Sequence, residues 1–332
     1  MTVGLVVVTF NAAAHIDQCL DAVAAQTRRP DRIVVADNGS TDGTLAIVNR
    51  AASRLSLAVD VLSLGSNRGF PFANNRAVDR LDGYDFVALL NPDAFPDPGW
   101  LAALVRAAES EPGCGSFASR LMVAGSDGVL DGAGDVFHVS GIVWRHGHHQ
   151  PLDRVPDALV PRPVFAACAA AALYRRDDWR RAGGFDERFF CYAEDIDLGF
   201  RLQLLGRGCR YVPDAVAYHV GSATAGEDSA FSVYHGYRNL EWTFVKNMPS
   251  RLLWRYLPVH VAVWVAEFGW FARKGRGVSL LRAKWDALLG LGAALADRQR
   301  IQKGRVVSAA TISALLDRTP LWSRFGVVRS TD

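Results

Sequence analysis

Val3-Gly-Leu-Val-Val-Val-Thr-Phe10 decides how this chain is read. An unbroken apolar run rich in β-branched residues is the pattern of a parallel strand buried on both faces. Working outward, Ile16, Leu20, Val23 and Ala24 share one helical face, and Pro30-Asp31 closes that helix. Ile33-Val-Val-Ala36 is predicted as a second strand. The turn-rich Asp37-Asn-Gly-Ser-Thr-Asp-Gly43 follows as a loop, and Leu45, Val48 and Ala52 mark the next helix. A third strand over Ala58 to Leu64 completes β-α-β-α-β, the signature of a doubly wound α/β sheet. Such sheets bind ligands at the carboxyl ends of their strands, where Asp37 stands.

Two nucleotide-binding classes fall away at once. The first strand leads into Thr9-Phe10-Asn11 and not into Gly-x-Gly-x-x-Gly, and no Gly-x-x-x-x-Gly-Lys-Ser/Thr occurs. With 332 residues, half of them hydrophobic and 21% charged, the chain can fill a large core. A net charge of +3, with no basic patch interleaved with aromatics in the first two thirds, gives no case for nucleic acid. The five cysteines lack metal-finger spacing, which fits reduced thiols in a cytoplasmic protein. No basic n-region or small-residue cleavage site precedes the first strand, so a signal peptide is not expected.

Further along, Asn67-Arg-Gly-Phe-Pro-Phe-Ala-Asn-Asn75 leads into a helix, and Tyr84-Asp-Phe-Val-Ala-Leu-Leu90 is a strand stopped at Asn91-Pro92-Asp93. A carboxylate one step beyond a buried strand can hold a hard divalent cation; it can equally belong to a plain Asn-Pro-Asp turn. The stretch from Gly183 to Arg201 opens as a Gly-Gly loop and becomes a helix near Ala193, with Ile196, Phe200 and Leu204 on one face. Glu194, Asp195 and Asp197 fall in its first turn, where the helix dipole favours negative charge. They suit a general base, or else caps, with Asp197 pairing to Arg201.

Val7-Val-Thr-Phe-Asn11, Asp37-Asn-Gly-Ser-Thr-Asp42, Gly69-Phe with Asn74-Asn75, Asn91-Pro-Asp93, and Gly184-Phe-Asp-Glu through Glu194-Asp195 are weak singly and specific in this order. Together they resemble the inverting glycosyltransferases of family 2, with the GT-A fold, on the rhamnosyltransferase-like branch where Asn-Pro-Asp often replaces Asp-x-Asp. The resemblance runs from Met1 to Ser222. It implies a Rossmann-like, mostly parallel doubly wound sheet with a C-terminal helical extension. The catalytic domain would occupy 1–225, with a nucleotide-sugar half (1–95) and an acceptor half (96–225), and the helical region 226–332.

Residue by residue, the resemblance implies that Thr9 and Asn11 line the nucleotide pocket and that Asp37 bonds the base or ribose. Arg68, Gly69, Asn74 and Asn91 would belong to the donor site. Asp93 would ligate Mg²⁺ or Mn²⁺ with His219, which could instead be a core histidine at a strand end. Asp195 would be the general base, with Glu194, Tyr192 and Arg238 on the acceptor side. The donor would be a nucleoside-diphosphate sugar, with dTDP-L-rhamnose leading and UDP- or GDP-sugars as alternatives. The acceptor would be a lipid-linked or nascent surface glycan. A sugar-phosphate nucleotidyltransferase can share the fold but would want a Gly-rich, Arg-containing loop after strand one, which Thr9-Phe-Asn-Ala-Ala13 is not. A non-catalytic scaffold is the other rival, opposed by intact Asp37, Asp93 and Asp195.

Between these motifs, Val164 to Tyr174 could be a helix from its alanines and is read as one buried strand from the resemblance. His146-Gly-His-His149 is read as a solvated loop between hairpin strands. Glu227 to Met248 reads as one helix, and Val278 to Ala296 as another. Leu252 to Ala272 is strongly apolar, but Arg255, Pro258, His260 and Glu267 interrupt it, which leaves too short a run for a membrane span. Its three tryptophans and the flanking Arg251, Arg273, Lys274 and Arg276 suit peripheral contact with the inner face of the cell membrane. A helical hairpin packed on the catalytic domain, or on a second subunit in a homodimer, is the alternative.

Overall fold

The computed structural model describes residues 1–221 and 229–321. Ser222 and the start of the helix expected from Glu227 lie outside the described residues. β1 (Val3–Thr9), β2 (Arg32–Asp37) and β3 (Val59–Ser63) alternate with α1 (Ile16–Ala24) and α2 (Thr44–Leu55), and α3 (Phe70–Val78) leads to β4 (Phe86–Leu90). Next come β5 (Ala94–Pro96), α4 (Trp100–Ser110), β6 (Cys114–Val123), β7 (Leu130–Gly132) and the hairpin of β8 (Asp135–Phe137) and β9 (Val143–Arg145). β10 (Arg162–Val164), β11 (Ala171–Arg175), α5 (Arg176–Ala182), α6 (Glu194–Leu204) and β12 (Gly208–His219) complete the sheet unit. Five helices follow: α7 (Ala230–Asn247), α8 (Ser250–Arg273), α9 (Gly277–Leu289), α10 (Leu291–Lys303) and α11 (Ala309–Leu315).

The sheet runs β10-β12-β6-β11-β4-β1-β2-β3, with β5 added to β12 and β7 to β6. From β4 to β3 every pairing is parallel. β11 enters antiparallel between β4 and β6, and β12 returns parallel to β6. One edge of the sheet therefore collects the ends of β1, β2, β4, β6 and β12 and the start of β11. Every residue of β1 and β4 is buried. Apolar side chains on the two faces, such as Leu5 and Val7 on one and Val6 and Val8 on the other, pack into separate cores. Each such side chain contributes about 1.5–3 kcal/mol.

Two expectations are corrected. Val164 to Tyr174 is not one strand: β10 pairs with β12, β11 with β4 and β6, and 165–170 between them is irregular. The helix expected over Val278 to Ala296 is broken at Gly290, where a Cβ would lie 2.5 Å from the Trp242 ring. α7 packs on α6, α9 and α10, so the helices are joined to the sheet unit by contact as well as by chain.

Candidate active site

Thr9 and Asp37 are register partners at the strand ends. The Thr9 hydroxyl donates to Asp37 Oδ1 at 2.8 Å, the Ser40 hydroxyl to the same oxygen at 2.5 Å, and the Gly39 and Ser40 amides to Oδ2 at 3.2 and 3.0 Å. Four donors fill a carboxylate's lone pairs, so Asp37 organises the loop above it. Asn11, at φ 50°, grips the same loop: its amide donates to Ser40 Oγ and its Oδ1 accepts from the Thr41 amide, both at 2.9 Å. Asn38 joins this loop to the next, donating to Gly69 O at 3.1 Å and accepting the Arg68 amide at 3.1 Å. The Arg68 guanidinium lies 3.6 Å from the centroid of Phe72. Asn74 is buried and bonds back to Phe70 O within α3. The neighbouring Asn75 makes the longer reach, exchanging two 2.9 Å hydrogen bonds with the backbone of Phe185.

The Asn91 amide donates to Ala170 O at 2.8 Å. One residue back, the Ala169 amide donates to Asp195 Oδ2 at 3.0 Å. Two consecutive residues, 169 and 170, thus hold the Asn-Pro-Asp turn and Asp195 side by side. This is what the irregular 169–170 step does: its backbone is spent on the site, while Phe165 and Ala166 bond to Asp135 in an isolated bridge.

His219 Nε2 stands 3.5 Å from Asp93 Oδ1 and 3.4 Å from Asn91 Nδ2. Asn91 Oδ1 is buried without a hydrogen-bond partner, a costly arrangement unless something else engages it. A carboxylate and an imidazole nitrogen are donors that suit Mg²⁺ or Mn²⁺, and Asn91, which turns Nδ2 toward His219, would add its amide oxygen once its side chain flips. Behind His219, Asp131 Oδ2 lies 2.9 Å from Nδ1, which aims Nε2 at Asp93. Arg145 Nη1 lies 2.7 Å from both Asp131 oxygens. Burial alone would raise the Asp131 pKa, but hydrogen bonds from His148 and His219 and the Arg145 charge hold it well below the carboxylate range. Asp131, His148 and His149 also bring potential ligand atoms within 4.8 Å of one another. Arg145 already engages Asp131 there, so the open donor set is that of Asn91, Asp93 and His219. His148 and His149 of the 146–149 loop are exposed, as expected of a solvated loop, though the loop follows β9, and His146 meets Asp157 at 3.0 Å and His148 meets Asp131 at 3.4 Å.

Asp195 sits where a strained loop enters α6. Phe190, Tyr192 and Ala193 all have positive φ, of 64°, 70° and 63°. Such conformations cost of order 1–3 kcal/mol each and persist only where surroundings enforce them. α7 enforces them. Asn239 Nδ2 donates to Phe189 O, Cys191 O and Tyr192 O at 3.0, 2.9 and 2.8 Å. Arg238 Nη2 donates to Arg188 O and Phe189 O at 3.1 and 3.0 Å, so its guanidinium is committed to the loop. Lys246 bridges Asp186 and Asp197 at 2.6 and 3.0 Å, and Asp197 pairs with Arg201 as its spacing suggested. From the donor side, the Phe70 amide donates to Phe190 O at 2.7 Å. A Cβ on Gly69 would stand 2.5 Å from that oxygen.

Glu194 is buried and its Oε2 has no partner. Burial and the Asp195 charge push its pKa up to about 8. Asp135 is a second buried carboxyl raised well above its usual value by burial and by Asp195. Sequence reading passed over Asp131, and it gave Asn75 and Asn239 no role of their own within the motifs that contain them. The only trace of the first is a pair of carboxylates in Asp131-Gly-Ala-Gly-Asp135, and the last was visible as part of Tyr234-His-Gly-Tyr-Arg-Asn239.

Comparison with known proteins agrees with this geometry. Residues 5–181 match the family model Glycosyl transferase family 2. Over 247 residues the chain is 33% identical to the N-acetylglucosaminyl-diphospho-decaprenol L-rhamnosyltransferase of Mycobacterium tuberculosis, covering 68% of this chain and 78% of that one. The fold is that of a mannosyltransferase from Pyrobaculum calidifontis, solved with GDP-Man and Mn²⁺ (TM-score 0.55, 22% identity, 94% of this chain and 85% of that one). It is also that of S. aureus TarS 1-349, solved with UDP-GlcNAc (TM-score 0.58, 17% identity, 92% and 90%). A GT-A sheet, matched by the family model over residues 5–181 and related along two thirds of its length to an L-rhamnosyltransferase, leaves one conclusion: this chain belongs to glycosyl transferase family 2 and is a glycosyltransferase.

Proposed function

We propose that this enzyme transfers L-rhamnose from dTDP-L-rhamnose, with inversion, to a hydroxyl of a lipid-linked or nascent surface glycan. It would work in the cytoplasm at the inner face of the cell membrane. The catalytic unit would be 1–225, with the helices of 226–332 completing its acceptor side. The observation that carries the mechanism is the 169–170 backbone, which sets Asp195 beside the turn that bears Asp93. The sugar is carried by the M. tuberculosis relative, whose name gives both an L-rhamnosyl group and a diphospho-decaprenol acceptor.

In this reading Asp93, Asn91 and His219 hold the divalent cation. When bound, it neutralises charge growing on the departing diphosphate. The residues around it bind and orient: Thr9, Asn11 and Asp37 fix the loop under the nucleotide, and Arg68, Gly69 and Asn74 close the donor side. Asp195 takes the proton of the acceptor hydroxyl as that oxygen attacks the anomeric carbon from the face opposite the diphosphate. Hydrogen bonds from the Ala169 and Ile196 amides keep its carboxylate in place. Glu194 and Tyr192 flank the acceptor, and Arg238 acts on it through the loop it holds.

A ligand that binds only the folded protein raises Tm by mass action. Thermal scans with dTDP, UDP and GDP, each with and without Mn²⁺, test the reading. A Mn²⁺-dependent shift with dTDP, lost in Asp93→Ala, is expected. A preference for UDP or GDP would replace the sugar assignment, and an unchanged shift in Asp93→Ala would remove Asp93 as the ligand.

A further inference from the structure

α8 and α9 turn an apolar face outward. Of the 24 residues of α8, only Leu252, His260 and Phe271 are buried. The side turned to the protein carries ion pairs among Leu252, Phe271 and Leu280: His260 meets Glu241 at 2.7 Å, and Lys284 of α9 meets Glu241 and Glu267 at 2.5 and 3.0 Å. The side turned outward is apolar. On α8, Trp254, Val261 and Val265 are 70%, 45% and 73% exposed; on α9, Val278, Trp285 and Leu289 are 82%, 62% and 69% exposed. The spacings 254-258-261-265 and 278-281-285-288 keep each set on one helical face. A surface helix that exposes its apolar stripe and buries its ion pairs is shaped for an apolar neighbour.

Charge identifies that neighbour. Arg255, Arg273 and Arg282 are exposed around the stripe. Of the carboxylates of these helices, Glu267 turns in to Lys284, and Asp286 bonds the Tyr234 hydroxyl at 2.6 Å and stands 3.8 Å from the Arg282 guanidinium. A two-fold copy would set this face against itself, cation against cation, with only the half-buried Asp286 beside Arg282 to offset it. An anionic bilayer surface offers acyl chains to the tryptophans and phosphates to the arginines. No helix of the described residues is long and apolar enough to cross a membrane, so the helices lie along it.

We propose that the outward face of α8 and α9 docks on an anionic lipid bilayer. The inference deepens the membrane-surface part of the reading above. Its test uses no sugar and no nucleotide, so either can fail alone.

Flotation of the full chain with phosphatidylcholine vesicles, with and without phosphatidylglycerol, decides it. Strong flotation with the anionic vesicles and little with the neutral ones is expected. Arg255→Gln, Arg273→Gln and Arg282→Gln should each weaken partitioning by about fivefold. Trp254→Ser with Trp285→Ser should weaken it further, and nucleotide-induced Tm shifts should persist in all variants. Absence of flotation by the folded protein, or equal flotation of every variant, overturns the proposal. So does a dimer in sedimentation that stays off vesicles and dissociates on Trp285→Ser, which would make the occupant a second copy.

Discussion

Asp195 and Glu194 are adjacent carboxyl groups in different surroundings. Asp195 is half-exposed and bonded by two backbone amides, while Glu194 is buried with one oxygen unpartnered. Asp195→Asn should lower transfer by about 10²–10⁴-fold, the usual worth of a positioned base. Nucleotide-induced thermal stabilisation should survive in that variant, and near-normal turnover would remove Asp195 as the base. Glu194 calls for a different measurement. Its folded pKa of about 8 lies above the ordinary value of 4.5. Between those values the folded chain holds a proton that the unfolded chain has released, so stability falls as pH rises. The contribution is complete below pH 4.5 and lost by the time pH has passed 8. Glu194→Gln cannot ionise, so its Tm should decline less than that of the parent between pH 5 and pH 9, checked by thermal scans across that range. Parallel curves would show that Glu194 ionises in the folded protein as it does in water.

At the scale of elements, α7 decides whether the loop before α6 holds its shape. Asn239 satisfies three carbonyls from the centre of a helix that follows the sheet unit in sequence. Two N–H groups shared among three carbonyls, at about 0.5–1.5 kcal/mol per net hydrogen bond, make Asn239→Ala a loss of roughly 1–3 kcal/mol, concentrated on residues 189–193. Hydrogen exchange should accelerate in that loop. kcat should fall while the donor nucleotide's Tm shift stays near that of the parent, because the donor loops are anchored through Asn38 and Asp37. Equal losses in both would mean that Asn239 supports the whole fold.

How far the elements could be read from sequence follows the same physics. β1, β2 and β4 announce themselves because a strand buried on both faces leaves a continuous β-branched run. The 165–170 segment does not, because its backbone is held by long-range hydrogen bonds to Asn91, Asp135 and Asp195 that no local pattern encodes. Asp131 sits in a three-residue strand too short for periodicity, and its meaning comes from His219, 88 positions away. Gly290 reads as one more helical residue until Trp242 is found against it.

For the molecule as a whole, the GT-A sheet was legible, since the alternation of strands and helices repeats over a long stretch and errors at single boundaries do not disturb it. The outward direction of the α8 stripe was not, because an amphipathic pattern tells which residues share a face and not which way that face turns. The joint between Gly69 and Phe190 has a consequence of its own. A backbone hydrogen bond of 2.7 Å, with no space even for a methyl group beside it, fastens the donor-side loop to the strained loop before Asp195. The two loops thus share a direct link, by which filling one substrate site can bear on the free energy of filling its neighbour. Such coupling is reciprocal by thermodynamic necessity: whatever factor a bound nucleotide lends the acceptor, a bound acceptor returns to the nucleotide.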